Sequence, residues 1–339
     1  MAAQLHTQDR VDGCRRDESR RCKALRDKKY PRDFTSGSIK VCHDFVLFEP
    51  ADYTMDAGKI ENMQLDVKPA SDYPTPDLVK YLNQSFENYL VPIHFNISQF
   101  LTMLHKDSID LTASRVLIAD EQPSGIALIA RRGTLCAARL AAMGIAMERR
   151  GKGTGTWFMD QLLREARERN DTEMLLEVIE QNEPAVRLYQ RCGFQIVRRL
   201  IGLIRKDAKE DHTDGLREIE LREAGRLISQ YGLPDLPWQL SGETIAQMNP
   251  PARAYGKGGA YVVVSNPEAE HVSIYALLVE PNARGNDLGV DVLGAVIAKH
   301  AGRTWHVPAI FPEEFGNVFE GAGFEREELS QWQMRFALV

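Results

Sequence analysis

The sequence lacks any C-x-x-C pair. Its five cysteines, Cys14, Cys22, Cys42, Cys136 and Cys192, are scattered and odd in number. Neither a zinc centre nor a disulfide framework is therefore expected, and a reducing compartment fits best. The eight histidines show no HxxxH or HExxH spacing, so no metal is expected. No apolar run approaches the ~20 residues needed to cross a bilayer, so no membrane partner is expected. An excess of positive charge is also missing. Lys and Arg total 42 against 48 Asp and Glu, a net charge of −6, which argues against nucleic acid as a partner. The N-terminus is too polar for a secretory signal, and Asp9, Asp12, Asp17, Glu18 and Asp27 argue against a transit segment. These absences together predict the cytoplasm, with the nucleus as the alternative.

What is present divides into four parts. Residues 1–60 crowd Arg and Lys between positions 15 and 32. Such a stretch buries too little apolar surface to offset its ordering entropy, which predicts a disordered extension; a nucleic-acid or partner-binding arm is the other use of such charge. A short strand is expected at Val41 to Phe48. Residues 61–206 and 215–339 each have domain composition, and the charged stretch around 207–214 reads as a linker. In the first part, Gln64 to Lys68 alternates as a strand does, and helices are expected from Pro76 and over Ile97 to Lys106. Gln122-Pro123-Ser124-Gly125 has turn chemistry between two apolar strands. A long apolar strand follows, over about Leu135 to Met147.

At Arg150-Gly151-Lys152-Gly153-Thr154-Gly155 the period changes from strand to helix. Glycines let main chain approach an anion closely, and the free N–H groups of the next helix point at it. Arg150 and Lys152 add positive potential. The turn fits neither the GxxxxGK[ST] phosphate loop nor the G-x-G-x-x-G dinucleotide pattern, whose last glycine is replaced by Phe158. Beyond it come a strand at Met174 to Ile179, Asn182, and a helix bearing Ala185, Leu188, Tyr189 and Cys192 that ends at Gly193-Phe194.

Taken in order, Arg150, Gly153, Gly155, Asn182, Ala185, Leu188-Tyr189 and Gly193-Phe194 resemble the motifs of the GNAT acetyltransferase superfamily, over roughly Met63 to Ile204. The resemblance implies an α/β (α+β) fold with a mixed, mostly antiparallel sheet flanked by helices. It implies acetyl-CoA as cosubstrate, its diphosphate held by residues 150–156, namely Arg150, Gly151, Lys152, Gly153, Thr154, Gly155 and Thr156. Its pantetheine arm would lie along Met143 to Met147, with Ile145 and Met147 as contacts and the Ile145 N–H polarising the thioester. An amine would attack directly. Tyr189 stands at the general-acid position, although it also fits an apolar helix stripe. Asn182 is either a cofactor contact or a plain N-cap. Glu177 and Glu148 are the candidate bases. The acceptor is a small-molecule amine or a protein or peptide amine, and aromatics between Tyr81 and Phe100 would either wall its pocket or form core. Oligomeric state is not legible.

The second part repeats the first with losses. Arg284-Gly285-Asn286-Asp287-Leu288-Gly289 parallels Arg150 to Gly155, but Asp287 replaces Gly153 and would repel phosphate. Val318-Phe319 before Gly323-Phe324 mirrors Leu188-Tyr189 before Gly193-Phe194, and Phe319 has no hydroxyl to give. Two tandem copies are expected, the second keeping the fold without the chemistry; whether it binds CoA is left open. A non-catalytic acyl-CoA-binding or scaffold protein is the alternative function.

Overall fold

The protein is described by a computed structural model covering residues 64–132, 136–206 and 213–338. The basic N-terminal stretch, the strand expected at Val41 to Phe48 and residues 207–212 of the linker lie outside these. Twelve strands form one sheet, in the order β1-β2-β3-β4-β5-β12-β6-β11-β10-β9-β8-β7. They are β1 (Leu65–Pro69), β2 (Arg115–Ala119), β3 (Gln122–Arg132), β4 (Ala137–Ile145), β5 (Glu173–Ile179), β6 (Gln195–Arg205), β7 (Arg217–Ile219), β8 (Arg253–Lys257), β9 (Ala260–Val264), β10 (His271–Val279), β11 (Thr304–Pro312) and β12 (Glu325–Ala337). Most pairs are antiparallel. The parallel ones are β4 with β5 and β10 with β11.

Helices cover both faces because their apolar stripes must be buried. In the first half α1 (Thr75–Ser85) and α2 (Ile97–Lys106) bury Leu78, Leu82 and Phe100 against Val116, Ile126 and Leu128. Asn96 and Gln99 form a capping box that starts α2. On the opposite face α3 (Thr154–Glu168) and α4 (Glu183–Arg191) pack Phe158, Leu162 and Tyr189 on Leu140, Met174, Leu176 and Val178. In the second half α5 (Leu221–Tyr231), α6 (Gly242–Ala246), α7 (Leu288–Lys299) and α8 (Gly316–Gly321) repeat the scheme.

The order of the central strands binds the halves together. β12, the last strand of the chain, lies between β5 and β6, while β6 lies between β12 and β11. Each half thus completes the other's sheet. Seven Cα pairs join β12 to β5, from Gln331–Ile179 to Ala337–Glu173.

A second seam forms where Trp238, in the turn Trp238–Leu240, packs against Ala130 of β3, Ala137 of β4 and Leu175 of β5. The Trp238 indole donates to the Asp107 carbonyl at 2.9 Å, and Arg132 lies over its ring at 4.0 Å. Arg132 also donates to Ser241 Oγ at 2.7 Å and Thr244 Oγ1 at 2.5 Å. Burial pushes the Arg132 guanidinium down to about 10, which leaves it charged at neutral pH. Trp238→Ala removes a side chain that is 3% exposed. It should lower the unfolding free energy by about 3–5 kcal/mol, read as a shift of the urea midpoint.

Two expectations are corrected. The first hairpin turns at Asp120 and Glu121, both left-handed with φ of 49° and 64°. Gln122 through Gly125 instead belong to β3. Two successive positive φ angles give the twist a two-residue hairpin needs, so they prevail over the Pro-Ser-Gly signal. Cys136 is disulfide-bonded while Cys192 is a free thiol. Irregular cysteine spacing says nothing of distance in the folded chain. Among the described residues no helix is long and apolar enough to cross a membrane.

Candidate active site

β4 and β5 run side by side only from Ala137–Glu173 to Leu140–Leu176. β4 continues to Ile145 and β5 to Ile179, so beyond Leu140 the strands part and a wedge opens. On its other side β4 stays paired with β3 as far as Ile145–Gly125. The Ala146 N–H donates toward that side, to Ser124 O at 2.8 Å. Alternation along the strand therefore turns the Ile145 N–H toward the side β5 has left.

The glycine loop closes the top of the wedge. A short 3-10 turn, Met147–Arg149, leads to Gly151 with φ 74° and Gly153 with φ 85°. Gly153 is the N-cap of α3 and offers no side chain to cap it. The first helical bond runs from Trp157 N–H to Gly153 O at 3.1 Å. The N–H groups of Gly151 through Thr156 have no acceptor among the described residues, which leaves six donors at the positive end of a 15-residue helix. Gly155 has a different purpose: a Cβ there would lie 3.2 Å from Leu188 and 3.5 Å from Ile145. A glycine lets α3 approach both β4 and α4.

Arg150 is a tether. Its Nε donates to Ile145 O at 2.8 Å and its guanidinium to Ser85 O at 2.9 Å, tying the loop to the end of β4 and the end of α1. Lys152 is exposed beside the free amides. Met147 is exposed as well, and Thr154 is buried under the helix start.

Tyr189 lies beneath α4, 9% exposed, with Phe194 edge-on at 5.9 Å. Burial pushes its phenol far up, with Tyr89 and Cys192 adding to the shift, so it keeps its proton at all ordinary pH values. Asn182 caps α4, accepting from Ala185 N–H at 3.4 Å, and its amide reaches Tyr89 OH at 3.4 Å. Both candidate roles of Asn182 are therefore compatible with its position. Tyr89 comes from the segment after α1 and brings that segment to the wedge.

Glu177 is on the other face of the sheet. Leu176 and Val178 belong to the Tyr189 cluster, and side chains alternate along β5. The Glu177 carboxylate, 3% exposed, pairs with Arg139 at 2.7 Å and accepts from Gln239 at 3.3 Å. Gln239 belongs to the second half, a partner no sequence pattern indicated. Glu148 is exposed on the 3-10 turn before the loop. Of the aromatics near the first helices, Phe100, Tyr81, Phe86 and Phe95 are packed in or against core. Phe86, Tyr89 and His94 line an open cleft of about 620 Å³ at the end of α1.

The same backbone design recurs at the other end of the sheet. β10 and β11 pair only from His271–Thr304 to Ser273–His306 before parting. Arg284 donates to Val279 O at 3.1 Å and Tyr231 O at 3.2 Å, as Arg150 does to Ile145 and Ser85. Gly285 has φ 82°, and Asp287 takes the left-handed N-cap position of Gly153 with φ 52°. Asp is one of the few side chains tolerated there.

A strand wedge capped by a glycine loop and a helix start is the backbone arrangement of the GNAT fold. Residues 79–194 match the acetyltransferase (GNAT) family model, and the chain carries a domain of that family there. A GCN5-related N-acetyltransferase from Sphaerobacter thermophilus is 13% identical, with TM-score 0.59, covering 81% of this chain and 96% of its own. A tandem GNAT protein from the clavulanic acid biosynthesis pathway is 15% identical, with TM-score 0.55, covering 82% and 99%. A putative acetyltransferase from Pyrococcus horikoshii gives 16%, 0.56, 81% and 89%. At these identities the likeness is one of fold, and it extends through both halves. No curated protein matches the chain in sequence. Among the described residues no group of His, Cys, Asp and Glu could hold a metal.

Proposed function

We propose that the first half is an N-acetyltransferase that moves an acetyl group from acetyl-CoA to a primary amine within a ternary complex. The observation that carries this is the run of free amides from Gly151 to Thr156 beside the parted strands. The CoA diphosphate would rest on those amides, with Lys152 adding charge. The pantetheine amides would bond the edge of β4 that β5 has left, and the Ile145 N–H would polarise the thioester carbonyl. The amine enters from the cleft lined by Phe86, Tyr89 and His94. It attacks the carbonyl carbon, the C–S bond breaks, the thiolate takes a proton from Tyr189, and the proton shed by the attacking nitrogen restores the Tyr189 phenol.

The amine itself must lose a proton. Glu177 is engaged by Arg139, which favours a structural use, whereas Glu148 is exposed and free to pass a proton to water. Glu177→Gln separates the two uses. As the anchor of a buried ion pair it should cost about 3 kcal/mol of stability and leave the pH–rate profile in place. A shift of the acidic limb would make it the base.

The reading is tested by isothermal titration of acetyl-CoA and by thiol release across a panel of small amines and amine-bearing peptides. One-to-one uptake with turnover of at least one amine is expected. Uptake without turnover on any amine would favour the alternative of a non-catalytic acyl-CoA-binding protein. A cytoplasmic location remains the expectation that goes with this chemistry.

A further inference from the structure

The geometry points to a second ligand site in the C-terminal half, one that takes an uncharged apolar molecule in place of a CoA diphosphate. The wedge between β10 and β11 opens after three paired residues, against four in the first half. It holds a cavity of about 330 Å³, within the size range of small-molecule sites. Its walls are Leu236, Leu277, Val279, Phe311, Val318 and Phe319. They come from both parted strands, from α8 and from the segment after α5. Leu277 and Val279 are only half-buried, so their side chains are open to an occupant. At the rim stand Leu233 and Phe315, which are 38% and 40% exposed. Large apolar side chains left open at the mouth of an apolar cavity are what a hydrophobic ligand would cover.

The polar lining selects against an anion. Asp287 carries a carboxylate where the first half has Gly153, and Asn286, beside it in the loop, stands in the place of Lys152. The remaining cation, Arg284, is held by the Val279 and Tyr231 carbonyls. A diphosphate would meet like charge at close range. A medium-length hydrocarbon or aromatic body with at most a hydroxyl or carbonyl at its head meets no such barrier. Its apolar surface would replace water along the walls. This site does not depend on the acetyltransferase reading of the first half.

The probe is 1-decanol, titrated calorimetrically into the full chain, with acetyl-CoA as competitor. One-to-one binding is expected, unaffected by saturating acetyl-CoA and by Gly153→Asp. Leu277→Trp fills the cavity, and Leu233→Asp places a charge at its rim. Each should weaken decanol at least about tenfold, close to 1.4 kcal/mol of binding free energy. Leu233 is exposed, so its variant keeps the test alive should the Trp variant misfold. Absence of decanol binding, equal binding by both variants, or displacement by acetyl-CoA in Gly153→Asp would each overturn the proposal.

Discussion

Replacing Tyr189 with Phe lowers kcat by about 10²–10⁴ while acetyl-CoA affinity stays within about threefold. The side chain is buried among apolar neighbours, and Phe fills the same space, so fold and cofactor binding persist. Only the proton is lost. In the proposed mechanism a thiolate leaves into a low-dielectric wedge, and without a donor its charge goes uncompensated. The raised phenol also sets the pH behaviour. A tyrosine whose folded pKa exceeds its unfolded value of about 10 keeps its proton longer in the folded state. Its contribution to stability is full below about pH 10 and is lost as pH rises beyond that. The rate should therefore show no alkaline loss from Tyr189 in the neutral to mildly basic range. A stopped-flow thiol assay over pH 6–10 on wild type and Tyr189→Phe, alongside calorimetric Kd values, checks both points. A variant with unchanged kcat would leave Tyr189 as a packing residue.

The second large effect is at the loop. Gly153→Asp gives the first half the residue its counterpart carries at Asp287. The backbone survives, since Asp287 holds a left-handed φ of 52° at the equivalent point. The carboxylate, however, would lie within a few ångströms of the diphosphate. At an effective dielectric between those of protein surface and water the repulsion is ~2–3 kcal/mol, or about 30- to 150-fold in Kd. Gly153→Ala tests the backbone alone, because alanine is strained at φ 85° yet adds no charge. If the two substitutions weaken acetyl-CoA equally, strain and not charge decides the loss. If neither does, the diphosphate does not rest on these amides.

Much of the first half was legible because local chemistry wrote it. The Asn96 capping box starts a helix wherever the chain goes next. The apolar run before Arg150 and the 3.6 period after Gly153 announce a strand, a turn and a helix in that order. Gly193 ends the next helix in the left-handed region, at φ 93°, and a side chain there is disfavoured in any context. The hairpin was misplaced by two residues because the Pro-Ser-Gly signal is statistical, while the twist of paired strands is geometric.

The sequence alone determined that a glycine loop joins an apolar strand to a helix, twice, and that the second loop carries an acid in place of a glycine. Those are facts of residues close in the chain, where backbone freedom and side-chain period act directly. Tertiary structure decided the rest: that β12 and β6 join the two halves in one sheet, that Glu177 meets Arg139 and Gln239, and that an apolar cavity of about 330 Å³ lies in the second half. Strand pairing depends on register and burial between segments more than a hundred residues apart. An ion pair or a cavity exists only once those segments have been brought together.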